Sequence, residues 1–467
     1  MAGGRFDKLV GKVRPGTYIN FESSRENEVI SNGTRGTVII PLPKADYGPA
    51  KQFIKLTNAS PDAAAATLGH SIYDNDTNRQ MLLIREAFKR AVTVYVYILT
   101  EGKAATAEIS MTLPKADGAG AEDPAPTNKL TATARHGGTR GNKLTVTVDA
   151  NPVGGYDVLV HLDGSKVSEY EGLTTIAELV AQENPYILFS GTGQLGEAAG
   201  TTLASGSDED AANLDITDFI DAWESVKFHT VCFPFDGEED ANVKQAALTK
   251  IKYMRDSMGK GVQVVMPNAP GMDYEGVINV TNSVSLDGDD LSVPEACAWV
   301  AGATAGATNT ESLTYKQYEG ATAVVGPKSN EEAIEAINAG EFFFSVNEDD
   351  EVVVEYDIDS LTTFEKPKDK TYRKNRVIRV YDTFQEAVQL NFPPNKYDNN
   401  DRGWDIMEGI GKTILRQFED IGAITNVSYD EDFLVDREAS VDDETYLNVG
   451  LQAVDSAEKL YFTIKTR

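Results

Sequence analysis

The chain has 467 residues and a formal net charge of −30 at pH 7, from 43 Lys and Arg residues against 73 Asp and Glu residues. Its hydrophobic share of 41% is ordinary for a globular protein, which excludes disorder throughout the chain and allows about three domains. So acidic a surface repels phosphate and argues against nucleic acid as the main partner, and the absence of an apolar run near ~18 residues argues against direct membrane insertion.

The first 28 residues contain a strand pattern that stands alone. In PGTYINFES, Ile19 and Phe21 share one face of a period-2 pattern and Tyr18 lies on the other face. Charged, glycine-containing sequence surrounds this segment, and no turn pairs it with a following strand. Residues 1–28 are therefore expected to form an N-terminal segment separate from the domain that follows.

Helix and strand patterns alternate over residues 29–100 and again over 211–360. In the first stretch, RGTVIIPL predicts a strand stopped by Pro41 and Pro43, followed by a helix over Asp76–Arg90 and a strand over Val92–Thr100. The second stretch predicts helices at Asp215–Ser225, Glu239–Met258, Pro294–Ala305 and Asn330–Asn338, strands in HTVCFPF and VQVVMP, and a hairpin around NEDD. Runs of Val, Ile and Phe between helices predict one discontinuous α/β core whose sheet is covered on both faces.

The intervening residues 101–210 have a different composition. Gly- and Ala-rich turns separate short alternating strands such as KLTATAR, NKLTVTVDA and GYDVLVHLDG, and one short helix is predicted over Thr175–Gln182. The pattern predicts a β-rich domain inserted into the α/β core.

Residues 361–467 predict a third domain, of the α+β class. It begins with a basic run, KPKDKTYRKNRVIR, which is either a solvated connector or a surface that pairs with acidic residues of a neighbouring copy. A helix is predicted over Trp404–Ile421, with an apolar stripe that includes Met407, Ile414 and Phe418. The chain is thus predicted to be an α/β multidomain protein.

Motifs for catalysis, cofactors and metals each fail on their context. YILFSGTGQLGEAAG has GxGxxG spacing, but Gly200 and SGSDED follow where a dinucleotide site needs a helix. The GKT at 411–413 resembles the end of a phosphate loop, but Ile406 stands where the first glycine should be. The four histidines are far apart, and two cysteines are too few for a disulfide framework, as in a protein made in a reducing cytosol. We therefore expect no catalytic, cofactor-binding or metal site.

The C-terminus carries a second strand pattern. In EKLYFTIKTR, Leu460, Phe462 and Ile464 alternate with Tyr461 and other residues of the opposite face. An exposed strand edge recruits other chains unless it is covered. From the pattern alone, the simpler interpretation is that both terminal strands pair inside their own subunit. The alternative is β-augmentation, in which each adds a strand to a sheet of a neighbouring copy.

These segments together resemble the tail sheath proteins of contractile bacteriophages, prophages and phage-tail-like bacteriocins, over nearly the whole chain. PGTYINFES is similar to the family's N-terminal arm, RGTVIIPLPKADYGP and LLIREAFKRAVTVYVYIL to the opening of its core, and ARHGGTRGNKLTVTV to the pattern leading into its inserted region. The densest match comprises VVVEYDIDSLTTF, KNRVIRVYDTF, the Gly-Ile-Gly helix, GAITN and LQAVDSAEKLYFTIKTR. Ser205 and Glu209 stand where members usually carry turn glycines.

The resemblance implies a structural subunit of a contractile sheath in a virion tail or phage-tail-like particle, assembled in the bacterial cytoplasm. Such subunits form six-fold rings that stack into a helical tube around an inner tail tube protein. They shorten to drive the tube through a cell envelope, with baseplate and tail terminator proteins as further partners.

The resemblance also implies which residues meet other subunits. Residues 1–28 and the C-terminus would be arms that complete a sheet in neighbouring copies, through Tyr18, Ile19 and Phe21 at one end and Leu460, Tyr461, Phe462 and Ile464 at the other. The inserted domain would lie outermost and the C-terminal domain innermost. There, Lys412 and Arg416 on the Trp404–Ile421 helix are either contacts to an acidic tube surface or its solvated face.

Two other functions stay open at this point. An acidic self-assembling surface protein or adhesin would also use β-rich modules, but it should carry a secretion signal, and MAGGRFDKLVGKVRPG has no apolar signal-peptide core. A nucleotide-using α/β enzyme needs a phosphate loop in its proper context, and the sequence offers none.

Overall fold

The computed structural model describes residues 2–4, 16–18, 35–59, 63–73, 79–115, 126–209 and 216–466. The chain divides into two compact units, one made of residues 1–33 and 383–452 and the other of residues 34–382 and 453–467. None of the described helices is both long enough and apolar enough to cross a membrane.

A seven-stranded sheet forms the centre of the larger unit. Its order is β19 (Glu341–Phe342), β15 (Val277–Val280), β14 (Gln263–Pro267), β13 (Thr230–Cys232), β3 (Thr37–Leu42), β5 (Thr93–Ile98) and β4 (Phe53–Thr57). Neighbouring strands are parallel except for β4, which runs antiparallel to β5. The helices of this part of the chain are α1 (Ala63–Leu68), α2 (Gln80–Phe88), α4 (Ile216–Ala222), α5 (Ala241–Lys252), α6 (Val293–Gly306) and α7 (Asn330–Asn338).

Side chains of β3 show that both faces of this sheet are buried. Val38 and Ile40 belong to a core cluster that contains Trp299 of α6, whereas Ile39 between them belongs to a second cluster with Trp223. All three β3 side chains have 0% exposure. The predicted α/β core with a sheet covered on both faces is therefore confirmed.

Two predicted boundaries in this region are wrong. β3 continues through Pro41, which pairs with Tyr97 of β5, because the other neighbour, β13, pairs only with Val38 and Ile39 and needs no N–H donor at position 41. α2 ends at Phe88, two residues before the predicted end at Arg90, and the predicted start at Asp76 lies outside the described residues.

Two further sheets come from the predicted β-rich stretch. One has the order β10 (Ser165–Leu173), β9 (Tyr156–Leu162), β8 (Leu144–Ala150), β12 (Ala198–Thr202), and the other the order β11 (Ile187–Gly191), β7 (Thr127–Gly137), β6 (Ala104–Thr112). Their buried side chains share one core cluster. The short helix α3 (Ile176–Val180) begins at a capping box, in which the Thr175 side chain accepts from the Glu178 N–H and the Glu178 carboxylate accepts from the Thr175 N–H.

Smaller sheets complete the larger unit. β16 (Ser283–Leu286) lies between β17 (Asp289–Asp290) and β18 (Ala323–Val325), and β20 (Phe344–Val346) pairs with β21 (Val352–Val354) in the predicted hairpin around NEDD.

The smaller unit contains strands from both ends of the sequence. β1 (Ala2–Gly4) pairs in parallel with β2 (Gly16–Tyr18), and β22 (Phe433–Asp436) pairs antiparallel with β23 (Tyr446–Val449). The long helices at this end of the chain are α8 (Asn375–Asn391) and α9 (Asp401–Asp420). Phe433 of β22 stacks on Phe392, with ring centroids 5.8 Å apart, and faces Gly411 of α9.

Candidate intersubunit interface

The last described residues of the chain, 454–466, which we call the C-terminal arm, expose a row of large apolar side chains. Leu460, Tyr461, Phe462 and Ile464 are 66%, 90%, 81% and 86% exposed. Residues 454–466, all of them described, belong to no helix or strand. Burying such side chains is normally favourable by ~1.5–3 kcal/mol each, and this conformation leaves that free energy unused within one chain. Within residues 454–466, the chain does not pair as a strand with any of the described sheets.

Upstream of this row, polar contacts fix the arm to its own subunit. The Glu458 carboxylate forms an ion pair with the Lys374 ammonium and accepts a hydrogen bond from the Ser312 hydroxyl at 2.9 Å. Arg376 donates to the Ser456 hydroxyl at 2.7 Å. We call these five residues the arm anchor.

The arm anchor changes the interpretation of the basic run at 366–379. Lys374, Arg376 and Arg379 are buried, so neither a solvated connector nor a surface facing another copy describes them. The guanidinium of Arg379 lies 3.8 Å from the Asp357 carboxylate, and Lys368 pairs with Glu275. Both sequence interpretations are wrong for Lys374 and Arg379, because their acidic partners, Glu458 and Asp357, lie in the same chain. Lys366 and Lys370 are exposed, and for them both interpretations stay predictions.

At the other end of the chain, Gly16–Tyr18 forms a strand, as the pattern predicts. The expectation that it has no local partner is wrong, since its backbone pairs with Ala2–Gly4 of the same chain. The Tyr18 side chain, Ile19 and Phe21 lie outside the described residues. Their role as arm residues therefore stays a prediction.

α9 carries the two residues expected to face a tube. Arg416 is exposed and its guanidinium lies 5.1 Å from the Tyr429 ring centre, while Lys412, one turn earlier, is half-buried. The Tyr429 hydroxyl in turn donates to Glu419, and this hydrogen bond raises the tyrosine's pKa. The two cations thus share one side of the helix, but Arg416 is held against its own chain by an aromatic contact.

The hairpin β22–β23 is a feature that the sequence did not predict. Its two strands have four residues each, and among the described residues no third strand joins them. Tyr446 and Val449 on β23 are 51% and 40% exposed. Strands this short, joined by an acidic loop without a tight-turn signal, give almost no periodic pattern in the sequence.

The described residues offer little for metal or thiol chemistry. Among them, no group of three or more His, Cys, Asp or Glu side chains is placed to hold a metal ion. Cys232 and Cys297 are free and buried, and burial raises the pKa of both thiols, which disfavours the reactive thiolate. After the glycine-rich GTGQLG, the chain enters strand β12.

Four domain models of one protein family match the chain. The tail sheath protein Gp18 domain III N-terminal region matches residues 35–99, and the phage tail sheath protein beta-sandwich domain matches residues 100–209. The phage tail sheath protein central domain matches residues 209–360, and the phage tail sheath C-terminal domain matches residues 367–467.

Individual proteins are similar over the full length. The phage-like element PBSX protein XkdK of Bacillus subtilis is 34% identical, with 100% of each chain covered. The solved sheath tail protein of Desulfitobacterium hafniense is 34% identical with a TM-score of 0.76, over 96% of this chain and 99% of that one. The helical sheath of the anti-feeding prophage, solved in its contracted state, shares the fold at 14% identity with a TM-score of 0.54, over 98% of this chain and 100% of that one.

Proposed function

The chain belongs to the phage tail sheath protein family, and we propose that it is the repeating subunit of a contractile sheath. In this proposal, copies form six-fold rings that stack into a helical tube around an inner tail tube. The tube shortens when a baseplate triggers it, driving the inner tube through a cell envelope. Its place is the tail of a virion or a phage-tail-like particle, assembled in the bacterial cytoplasm and closed by a terminator protein.

The observation that carries the proposal is the exposed apolar row on the C-terminal arm. Leu460, Phe462 and Ile464 lie beyond the arm anchor with no strand partner among the described residues. The exposed row does not stabilise an isolated subunit. In a lattice, each subunit would donate one strand to a neighbour, and each further strand would add in an effectively intramolecular step.

We propose the β22–β23 hairpin of a neighbouring copy as the acceptor sheet. A two-stranded sheet leaves two edges, and each copy has two arms to offer. On β22 the Val435 N–H already donates to the Glu408 carboxylate at 3.1 Å, so an arm on that edge would replace this hydrogen bond. An arm strand pairing along four residues would form about four backbone hydrogen bonds, each worth ~1 kcal/mol net. The exposed Tyr446 and Val449 would give the arm's apolar side chains a surface to cover.

Charge supports this pairing. Residues 397–444, which include α9 and most of the hairpin, contain 14 Asp and Glu against 4 Lys and Arg. Residues 459–467 carry Lys459, Lys465 and Arg467 and no acidic residue, and residues 1–18 carry Arg5, Lys8, Lys12 and Arg14 against Asp7. Opposite charge on arm and acceptor speeds encounter and disfavours incorrect contacts.

The proposal also covers the domains of the chain and the side of α9 that faces the tube. The chain would comprise an arm at 1–28, a core at 29–100 and 211–360, an outer β-rich domain at 101–210 and an inner domain at 361–467. The side of α9 with Lys412 and Arg416 would face the tube.

Electron microscopy of the purified protein tests the proposal. Wild-type protein is expected to form striated hollow tubes, and a variant that lacks residues 460–467 is expected to stay folded but form none. F462S is the matched point variant. Its control is V153S, because Val153 is 97% exposed in a turn between β8 and β9, far from the arm in sequence. Tubes formed equally well without residues 460–467 would refute arm donation. Tubes lost in V153S as well would show that the effect is not specific to the arm.

A further inference from the structure

We propose that the arm anchor is the pivot of the C-terminal arm: Glu458, held by Lys374 and Ser312, fixes the point at which the chain leaves its own subunit, and only the residues from Leu460 onward are donated. The inference rests on the proposed function and adds the residues that position the arm.

Burial marks the pivot sharply. The side chains of Lys374 and Glu458 are 7% and 10% exposed, whereas two residues further on Leu460 is 66% exposed and Tyr461 90%. Lys459 lies between the buried Glu458 and the exposed Leu460, and its ammonium is 5.5 Å from the Tyr356 ring centre. The side chains therefore change from buried to exposed within two residues.

The holding contacts come from segments far apart in the chain. Ser312 follows α6, Lys374 immediately precedes α8, and Arg376 lies in the first turn of α8. The Lys374 ammonium also lies 4.2 Å from the Tyr356 ring centre. Because Lys374 is buried, removing the Glu458 carboxylate would leave its ammonium with only the half-exposed Asp455 carboxylate, 3.9 Å away, as a counter-charge, which is more costly than losing a surface ion pair.

The pivot sets how far the arm can reach. Seven described residues, 460–466, span at most ~23 Å when extended. If four of them pair with a four-residue strand, the other three bridge at most ~10 Å between pivot and acceptor. Opening the anchor would free residues 454–459 and lengthen the connector by ~20 Å. A fixed pivot therefore allows only a narrow range of neighbour positions.

Spin labelling tests the inference directly. Both native cysteines are buried, so a nitroxide can be placed selectively on A457C, next to Glu458, or on T463C in the free part of the arm. In soluble protein carrying the F462S change, we expect the label at 457 to be immobilised and the label at 463 to be mobile. E458Q should raise the mobility of the label at 457 toward that of the label at 463, and E458Q with S456A, which also removes the hydrogen bond from Arg376, should make the two equal. D455N is the matched control, because Asp455 is 41% exposed and 3.9 Å from the Lys374 ammonium, and it should change neither label.

Assembly gives the second readout. Without the F462S change, E458Q and K374M are expected to lower the fraction of protein in tubes at least tenfold, with the circular dichroism spectrum unchanged. The exchanged pair, E458K with K374E, should restore tubes in part. A label at 457 that stays immobile in E458Q, together with a normal yield of tubes, would overturn the pivot. If wild-type protein forms no tubes while the labels behave as expected, the proposed function fails and the arm anchor stands.

Discussion

Two glycines on different sides of α9, Gly409 and Gly411, should have opposite effects on stability when each is replaced by alanine. A Cβ on Gly411 would lie 2.1 Å from the Phe433 ring, about 1.3 Å short of ordinary contact, whereas a Cβ on Gly409 would meet nothing within 4 Å. Phe433 is 1% exposed and stacked on Phe392, so its ring has no free space to move into. Alanine in a helix interior gains ~1 kcal/mol over glycine, and overpacking typically costs ~1–3 kcal/mol.

G409A should therefore stabilise the smaller unit by up to ~1 kcal/mol, and G411A should destabilise it by up to ~2 kcal/mol. Because a multidomain chain need not unfold in one step, the assay must be local. Urea unfolding followed by ¹⁹F NMR of 5-fluorotryptophan protein provides this, since Trp404 lies in α9 while Trp223 and Trp299 lie in the two core clusters of the seven-stranded sheet. Only the Trp404 midpoint should move. A G411A midpoint at or above that of G409A would refute the close packing of α9 on β22.

Three further predictions concern a turn, a buried histidine and net charge. Ser205 has φ +67°, a left-handed conformation that favours glycine, so S205G should raise stability by ~0.5–1 kcal/mol in thermal unfolding, while S207G, at a neighbouring residue without a positive φ, should lower it. Burial first, and then Arg35 and Lys227, lower the pKa of His229 from 6.5 to about 3. Between these pH values the unfolded state binds one more proton than the folded state, so the free energy of unfolding falls as the pH drops from 6.5 to 3. The loss of stability from pH 7 to pH 5 should therefore be ~2 kcal/mol smaller in H229N than in the wild type, and equal losses would contradict this. At a net charge of −30, repulsion between whole subunits outweighs the attraction of the few arm cations, so light scattering should show tubes forming more slowly at about 0.01 M than at about 0.15 M salt. Rates indifferent to salt would contradict this.

Elements whose patterns are local could be predicted. α6 and α7 follow from helical periodicity and from Ser-x-x-Glu capping boxes at Ser292 and Ser329, which depend on residues three or four apart. The alternation of Val38, Ile39 and Ile40 between two cores follows equally from the strand period. The position of Pro41 inside β3 could not be predicted, because it depends on where β13 stops pairing.

The basic run at 366–379 shows the opposite case. Its sequence contains seven cations and one Asp, which by itself indicates an exposed basic surface. Lys368 pairs with Glu275, Lys374 with Glu458 and Arg379 with Asp357, so the partners lie between about 20 and 90 residues away along the chain. Distance along the chain says nothing about such pairs, so burial of these charges became evident only from the fold.

The amino-acid order alone determined the alternating core, the β-rich insertion, the long amphipathic α9 and the apolar faces at both termini, because each depends on spacings of two to four residues. Tertiary structure decided where the C-terminal arm stops being held and starts being free, since that point depends on Glu458 meeting Lys374 and Ser312. It also decided that β22 and β23 form a hairpin that no third strand joins among the described residues. Both features arise from contacts between residues distant in sequence, which local periodicity does not encode.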